Sequence, residues 1–351
     1  MEERGATQFL KKHVLDAELC TYCGACVNIC PHFIAYHDRI IVRDTCDRTE
    51  GGCIDICPRL ETDYSNLIRR LFDEKDITPE VGAVKAFYIT RAADEAVQRN
   101  AQHGGTVTAL IRLALEEGLI DTAVLSGETE PLRPAGVAVD RTGQPGRYSK
   151  SRFVVSPNVA AFNELAQTEA AAIGMVVTPC QAQALAKMRV SKNPRIQTNS
   201  KKERLVIGLF CGWAFSHDAL SALLAEKLDD LSSIIGMDIP PSKYHVLDVF
   251  TADGTTISIS LDEVQKCVRP ACRSCSDMTA EFSDISVGSA RLPEGWEEAR
   301  SWNQVIVRTD VGAQLMDLAR SRGLLEFREV PEQNLANLKK ASLNKKKTAT
   351  T

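Results

Sequence analysis

Residues 173–189, IGMVVTPCQAQALAKMR, set an apolar, β-branched run directly against a helix-forming run. IGMVVT reads as a buried strand and PCQAQALAKMR as the helix behind it. Cys180 falls just beyond the strand, at the helix start. In open α/β sheets the carboxyl ends of strands line the binding crevice, so this junction is a natural place for a functional side chain.

The same alternation runs outward in both directions. KAFYIT (85–90) and DTAVLSG (121–127) read as strands. Between them GGTVTALIRLALEEG (104–118) has apolar residues at i, i+3, i+4 spacing and Gly118 as a stop. RLVIGLF (204–210) is a further strand, and SHDALSALLAEKL (216–228) a helix with Ser216 and then Asp218 near its start. HVLDVFTADGTTISISL (245–261) reads as a hairpin turning at Asp253-Gly254. A last strand, NQVIVRT, precedes the helix VGAQLMDLARSRG (311–323). This rhythm predicts a mixed-sheet α/β domain with helices covering the sheet.

The chain has 351 residues, 44% hydrophobic and 25% charged, with a formal net charge of −4. That is globular composition with no basic excess for nucleic acid. The start, MEERGATQFLKKH, carries acidic residues at once and lacks the apolar core of a signal peptide. No apolar run approaches the ~18 residues needed to span a bilayer, so membrane contact is expected only through a partner. Twelve cysteines in a long chain without an export signal point to metal or redox binding in a reducing compartment, hence a cytoplasmic location, rather than to disulfides.

Seven of those cysteines lie between Cys20 and Cys57. CTYCGACVNICP (20–31) spaces four as C-x2-C-x2-C-x3-C-P, the ferredoxin pattern in which the fourth cysteine serves the other cluster. Zinc sites instead pair two separated C-x2-C knuckles. Cys20, Cys23 and Cys26 with Cys57 would hold one [4Fe–4S] cluster. Cys30 would cross to a second run, CDRTEGGCIDICP (46–58), where Thr49 stands in place of a cysteine. Cys30, Cys46 and Cys53 then supply three thiolates. Three readings stay open: a [3Fe–4S] cluster, a [4Fe–4S] cluster borrowing Asp47 or Cys267, or no second cluster. The expected organisation is a two-cluster ferredoxin-like module over 1–62, a helix (TDYSNLIRRLFDEK) and linker (DITPEVGA) over 63–84, a larger domain over 85–335, and a basic, disordered tail over 336–351.

Cys211 ends the strand in GLFCGW, and Cys272 and Cys275 form a C-x2-C in KCVRPACRSCSDMTAEFSDISVGS (266–289). With Cys180 they could complete a four-thiolate site. For Cys180 and Cys211 the competing reading is core packing, since free cysteine is often buried. Gly104-Gly105 and Thr106 precede a helix. They suit either a phosphate at its N-terminus or a plain glycine turn. RYSKSRFVVSPN (147–158) gathers Arg147, Lys150, Ser151, Arg152, Ser156 and Asn158, an anion site or a polar loop. His103, beside the glycines, is the one histidine near a candidate site; an exposed loop histidine is the alternative.

GGTVTALIRLALEEGLID, VVTPCQAQAL, GLFCGW and ACRSCSDMTAEFSDISVGS, in this order, resemble the β subunit family of coenzyme F420-reducing hydrogenase and formate dehydrogenase over about residues 85–325. The resemblance implies a domain binding FAD and a [4Fe–4S] cluster, with hydride exchanged between the deazaflavin and FAD and single electrons passed to clusters. It implies that Gly104, Gly105, Thr106 and Thr108, with Arg152, Ser156 and Asn158, lie at the flavin. Cys180, Cys211, Cys272 and Cys275 would hold the third cluster. Expected partners are a hydrogenase, formate dehydrogenase or heterodisulfide-reductase-type subunit, with coenzyme F420 or ferredoxin as carrier. The chief alternative is a pure electron-transfer subunit with no substrate of its own; a zinc-binding structural module is the other.

Overall fold

The structure is a computed structural model describing residues 5–49, 51–130, 132–241 and 244–349. Strands β1 (Phe33–Tyr36) and β2 (Arg39–Val42) form an antiparallel hairpin between the two N-terminal cysteine runs. The helix Tyr64–Leu71 follows, its first turn closed by the Asp63 carboxylate accepting from the Asn66 amide. The expected linker is itself paired, as β3 (Ile77–Thr78) and β4 (Gly82–Ala83).

The larger domain is built on β5 (Ala86–Ala92), β6 (Thr122–Glu130), β7 (Arg133–Asp140), β8 (Ile173–Val177) and β9 (Glu203–Leu209). A separate antiparallel sheet of β10 (Ile234–Asp238), β11 (Val246–Thr251) and β12 (Thr256–Ser260) includes the expected hairpin. The main sheet then resumes with β13 (Ile285–Ser289), β14 (Asn303–Val307) and β15 (Leu325–Arg328). Its eight strands run in the order β15-β5-β14-β13-β9-β8-β6-β7. β6, β8, β9 and β13 are mutually parallel, and antiparallel strands flank them. Strand β8 is buried at every position, as expected for a strand covered on both faces. The mixed α/β architecture agrees with the sequence pattern.

Helices Thr106–Glu116 and Asp310–Ser321 cover one face through Leu110, Leu113, Leu315 and Met316. Helices Asn158–Leu165 and Pro179–Val190 cover the other through Val159, Phe162, Leu185 and Met188. The N-terminal module packs onto this second layer, adding Ile29, Ile56 and Leu67 to the same core.

The basic tail departs from expectation. Residues Glu332–Thr348 form a helix. Leu338 packs with Val81 and Ile306, Ser342 donates to the Glu80 carbonyl at 2.6 Å, and Lys346 pairs with Glu281 at 2.6 Å. Two lysines of the run, Lys345 and Lys346, meet acceptors on the larger domain.

Arg308 is fully buried at the end of β14. It donates to the carbonyls of Val81, Ala83 and Thr279 and to the hydroxyls of Ser286 and Thr279. Arg308→Met would orphan three buried carbonyls at ~1–3 kcal/mol each. We expect a loss of about 3 kcal/mol or more in stability, read as a lower denaturant midpoint.

Candidate functional site

All twelve cysteines are unpaired, and eleven sort into three sets by their electrostatic neighbours. Cys20 and Cys57 both act on Cys23 and on Cys26, and the four form the first set. Cys53 faces Cys30 and Cys46, the second set. Cys211 faces Cys272, Cys275 and Cys180, the third. The sets stand in line. Cys26 senses Cys53, and both Cys20 and Cys23 sense Cys180. The first set is therefore the middle one.

Burial pushes the Cys20 thiol up to about 11 and the Cys53 thiol up to about 12. Such thiols are poor nucleophiles, and a metal must displace their protons to bind. Among the described residues no three His, Cys, Asp or Glu side chains converge on a single ion. Cys267 belongs to none of the sets. It is buried among Phe215, Leu220 and Val264, with its Sγ 3.5 Å from the Ala219 carbonyl. That packing sets it apart from Cys30, Cys46 and Cys53, and no other thiol acts on it. Asp47 is exposed beside Cys46.

Local structure explains where the third set sits. Cys180 opens the helix Pro179–Val190, whose Thr178–Gln181 capping box closes the turn after β8. The Thr178 hydroxyl lies 3.3 Å from the Cys180 Sγ. Cys211 follows β9, its amide donating to the Met278 carbonyl at 2.9 Å. Cys272 and Cys275 close a tight turn, the Cys275 amide donating to the Cys272 carbonyl at 3.2 Å.

A cavity of about 370 Å³ lies at the carboxyl ends of β6, β8, β9 and β13, within the usual size of a cofactor pocket and in the crevice where α/β sheets bind ligands. Gly105, Thr106, Thr108, Arg152 and Ser156 line it. So does Cys211, which thereby belongs both to the cavity wall and to the third thiol set. Gly105 is left-handed, with φ 78° at the helix N-cap, a conformation that favours glycine. Arg152 pairs with Glu128 at 2.8 Å through Nε, while its Nη1 is buried without a partner. A negatively charged group in the cavity would satisfy that atom.

Two expected residues lie behind the wall instead. Gly104 packs against the sheet, where an added Cβ would come within 2.8 Å of the Asn303 Oδ1 and 3.0 Å of the Thr90 carbonyl. Asn158 is buried. It donates to the Val176 carbonyl at 2.8 Å and the Ser126 hydroxyl at 3.1 Å, and accepts from Ser156 at 2.7 Å. Its amide orients two hydroxyls of the lining rather than facing the cavity. His103 lines the cavity with its ring edge toward Trp296 and a buried, unpartnered Nδ1; burial holds it below the ordinary histidine range.

Sequence reasoning missed Gln181 and Asn303, which also line the cavity. Gln181 donates to the Ser156 carbonyl, and Asn303 accepts from the Thr106 amide at 3.2 Å. The capping-box spacing TPCQ was the only local signal for the first, and β14 carried none for the second.

The family models described as coenzyme F420 hydrogenase/dehydrogenase beta subunit match residues 87–163 with the N-terminal part and 170–333 with the C-terminal part. The chain belongs to this beta subunit family. A 4Fe-4S binding domain model matches residues 13–34. The beta-subunit-family chain is thus an oxidoreductase with an iron–sulfur module joined to it. It is 29% identical to one of the subunits of the F(420)H(2) dehydrogenase of Methanosarcina mazei, over 92% of this chain and 88% of that one. It is 30% identical to the beta subunit of the coenzyme F420 hydrogenase of Methanococcus voltae, over 76% and 92% respectively. A solved chain of the F420-reducing [NiFe] hydrogenase complex from Methanosarcina barkeri superposes with a TM-score of 0.71 at 26% identity, covering 78% of this chain and 92% of that one.

The grouping predicts which cysteines matter. Cys180→Ser should lower anaerobically measured iron per chain by the share of one cluster. Cys267→Ser should leave iron content unchanged.

Proposed function

We propose that this chain is the hydride-to-electron converter of a larger redox complex. FAD would occupy the cavity at the carboxyl ends of the parallel strands, and the three thiol sets would hold iron–sulfur clusters. FAD supplies the ability to exchange two electrons as hydride and give them up singly, chemistry that belongs to the cofactor. The chain's residues hold and order the partners of that exchange. The carrier on the hydride side is coenzyme F420, and the partner subunit is of hydrogenase, formate dehydrogenase or heterodisulfide-reductase type. The family description and the relatives' names support coenzyme F420 and a partner of hydrogenase or dehydrogenase type. Among the described residues no helix is long and apolar enough to cross a membrane.

The observation that carries the reading is Cys211. One residue borders the cavity and faces Cys180, Cys272 and Cys275, so a flavin there would have its electron acceptor at the wall. The unpartnered Arg152 Nη1 suits the pyrophosphate. The three thiolates Cys30, Cys46 and Cys53, without Cys267, suit a [3Fe–4S] cluster at the far end of the line.

Anaerobic protein mixed with reduced deazaflavin, NADH or reduced ferredoxin tests the function. Bleaching of flavin and cluster bands by the deazaflavin alone is expected. Brown protein that takes up no FAD on reconstitution would overturn the converter reading in favour of a simple electron carrier. Arg152→Met should weaken FAD binding about tenfold or more, the worth of one charge-assisted hydrogen bond, with iron content retained. In the oxidised protein an EPR signal from the second set is expected, since an oxidised [3Fe–4S] centre is paramagnetic and a [4Fe–4S]2+ centre is not; its absence from protein with full iron would exclude the three-iron form.

A further inference from the structure

Lys345 stands on the C-terminal helix, beyond the region where sequence pattern suggested order. Its ammonium reaches inward and donates to the main-chain carbonyls of Cys211 and Asp277, both at 2.8 Å. The first carbonyl belongs to a member of the third thiol set. The second belongs to the residue whose carbonyl lies 3.5 Å from the Cys275 Sγ. All four thiols of the set, Cys180, Cys211, Cys272 and Cys275, lie within its electrostatic reach.

Two other observations separate this lysine from its neighbours. Lys346, the next residue, is neutralised by Glu281 at 2.6 Å. The Asp277 carboxylate, also near Lys345, is already held by the amides of Thr279 and Glu281, each at 3.0 Å. The helix has its own anchors in Leu338 and Ser342. A partly buried cation tied to two carbonyls is therefore more than attachment requires.

We propose that Lys345 sets the reduction potential of the third thiol set. The inference rests on the proposed cluster there. An electron arriving at that site adds one negative charge, with no bond made and no proton moved; the electron is lost by the flavin side or by the first set. A fixed positive charge in a water-poor surrounding stabilises the more negative state, so it raises the potential. The cation thus makes the site next to the cavity the better electron acceptor.

The experiment is an EPR-monitored redox titration of the full-length, cluster-loaded chain with iron analysis. Lys345→Met should shift the reduced-to-oxidised ratio of the third centre about tenfold toward oxidised at a given solution potential, a midpoint about 59 mV lower. Lys347→Met, which removes an exposed charge from the same helix, should leave the midpoint in place because solvent screens it. Lys345→Gln keeps a donor for the carbonyls and removes only the charge, so it decides the matter where the Met variant sheds iron. A wild-type midpoint in Lys345→Gln with full iron would overturn the proposal. A wild-type chain with no third centre would instead overturn the cluster assignment itself.

Discussion

One seam carries the arrangement: the loop between Cys23 and Val27 pressed against the helix Asn158–Leu165. The Val159 amide donates to the Cys23 carbonyl at 3.3 Å. Asn163 donates to the carbonyls of Ala25 and Val27 at 2.9 and 2.7 Å. Between them Gly24 sits so close that an added Cβ would come within 2.7 Å of the Ala160 nitrogen. That approach sets the first thiol set beside Cys180, and with it the line from the second set to the cavity. A module joined by a loose linker could not hold thiols of separate domains in register.

The seam is also electrostatic. Arg269, from the cysteine-rich C-terminal loop, donates to the buried Asp38 carboxylate at 2.5 Å and to the Asp38 carbonyl at 3.1 Å. Asp38 accepts in turn from the His217 amide at 2.9 Å. Lys187 reaches from the Pro179–Val190 helix to the Cys57 carbonyl at 2.6 Å. Desolvating such charges is expensive, and removing one partner leaves the other stranded. The arrangement therefore resists sliding of the module over the domain. Its cations also face thiols of the first set, Arg269 near Cys20 and Lys187 near Cys57, which would be anionic with metal bound.

Much of the architecture was legible in the sequence. Strands β5, β6, β8 and β9 and the Thr106–Glu116 helix announce themselves through apolar runs and helical spacing, because each buries a contiguous face. β7, with Gly136 and Pro134 in it, and β10 carried no such pattern, since they lie at or beyond the edge of the main sheet. The C-terminal helix failed for a different reason. Its composition is that of a solvated lysine run, and only its acceptors, Glu80, Cys211, Asp277 and Glu281, distributed over the rest of the chain, make it ordered.

The candidate site divides in the same way. Local spacing by itself determined that the N-terminal cysteines suit iron–sulfur ligation, that a glycine turn opens a helix, and that Cys180 and Cys211 follow strands. Tertiary structure alone decided that the set of Cys20, Cys23, Cys26 and Cys57 is the middle one of three, that Cys267 packs into an apolar core, and that Asn158 orients hydroxyls from behind the wall. It also brought Lys345 to the thiols nearest the cavity. The physical reason is range. Periodicity and ligand spacing record what a residue does with neighbours a turn or a strand away. A desolvated charge or a shared thiol site depends on residues far apart in the chain, whose meeting no local pattern encodes.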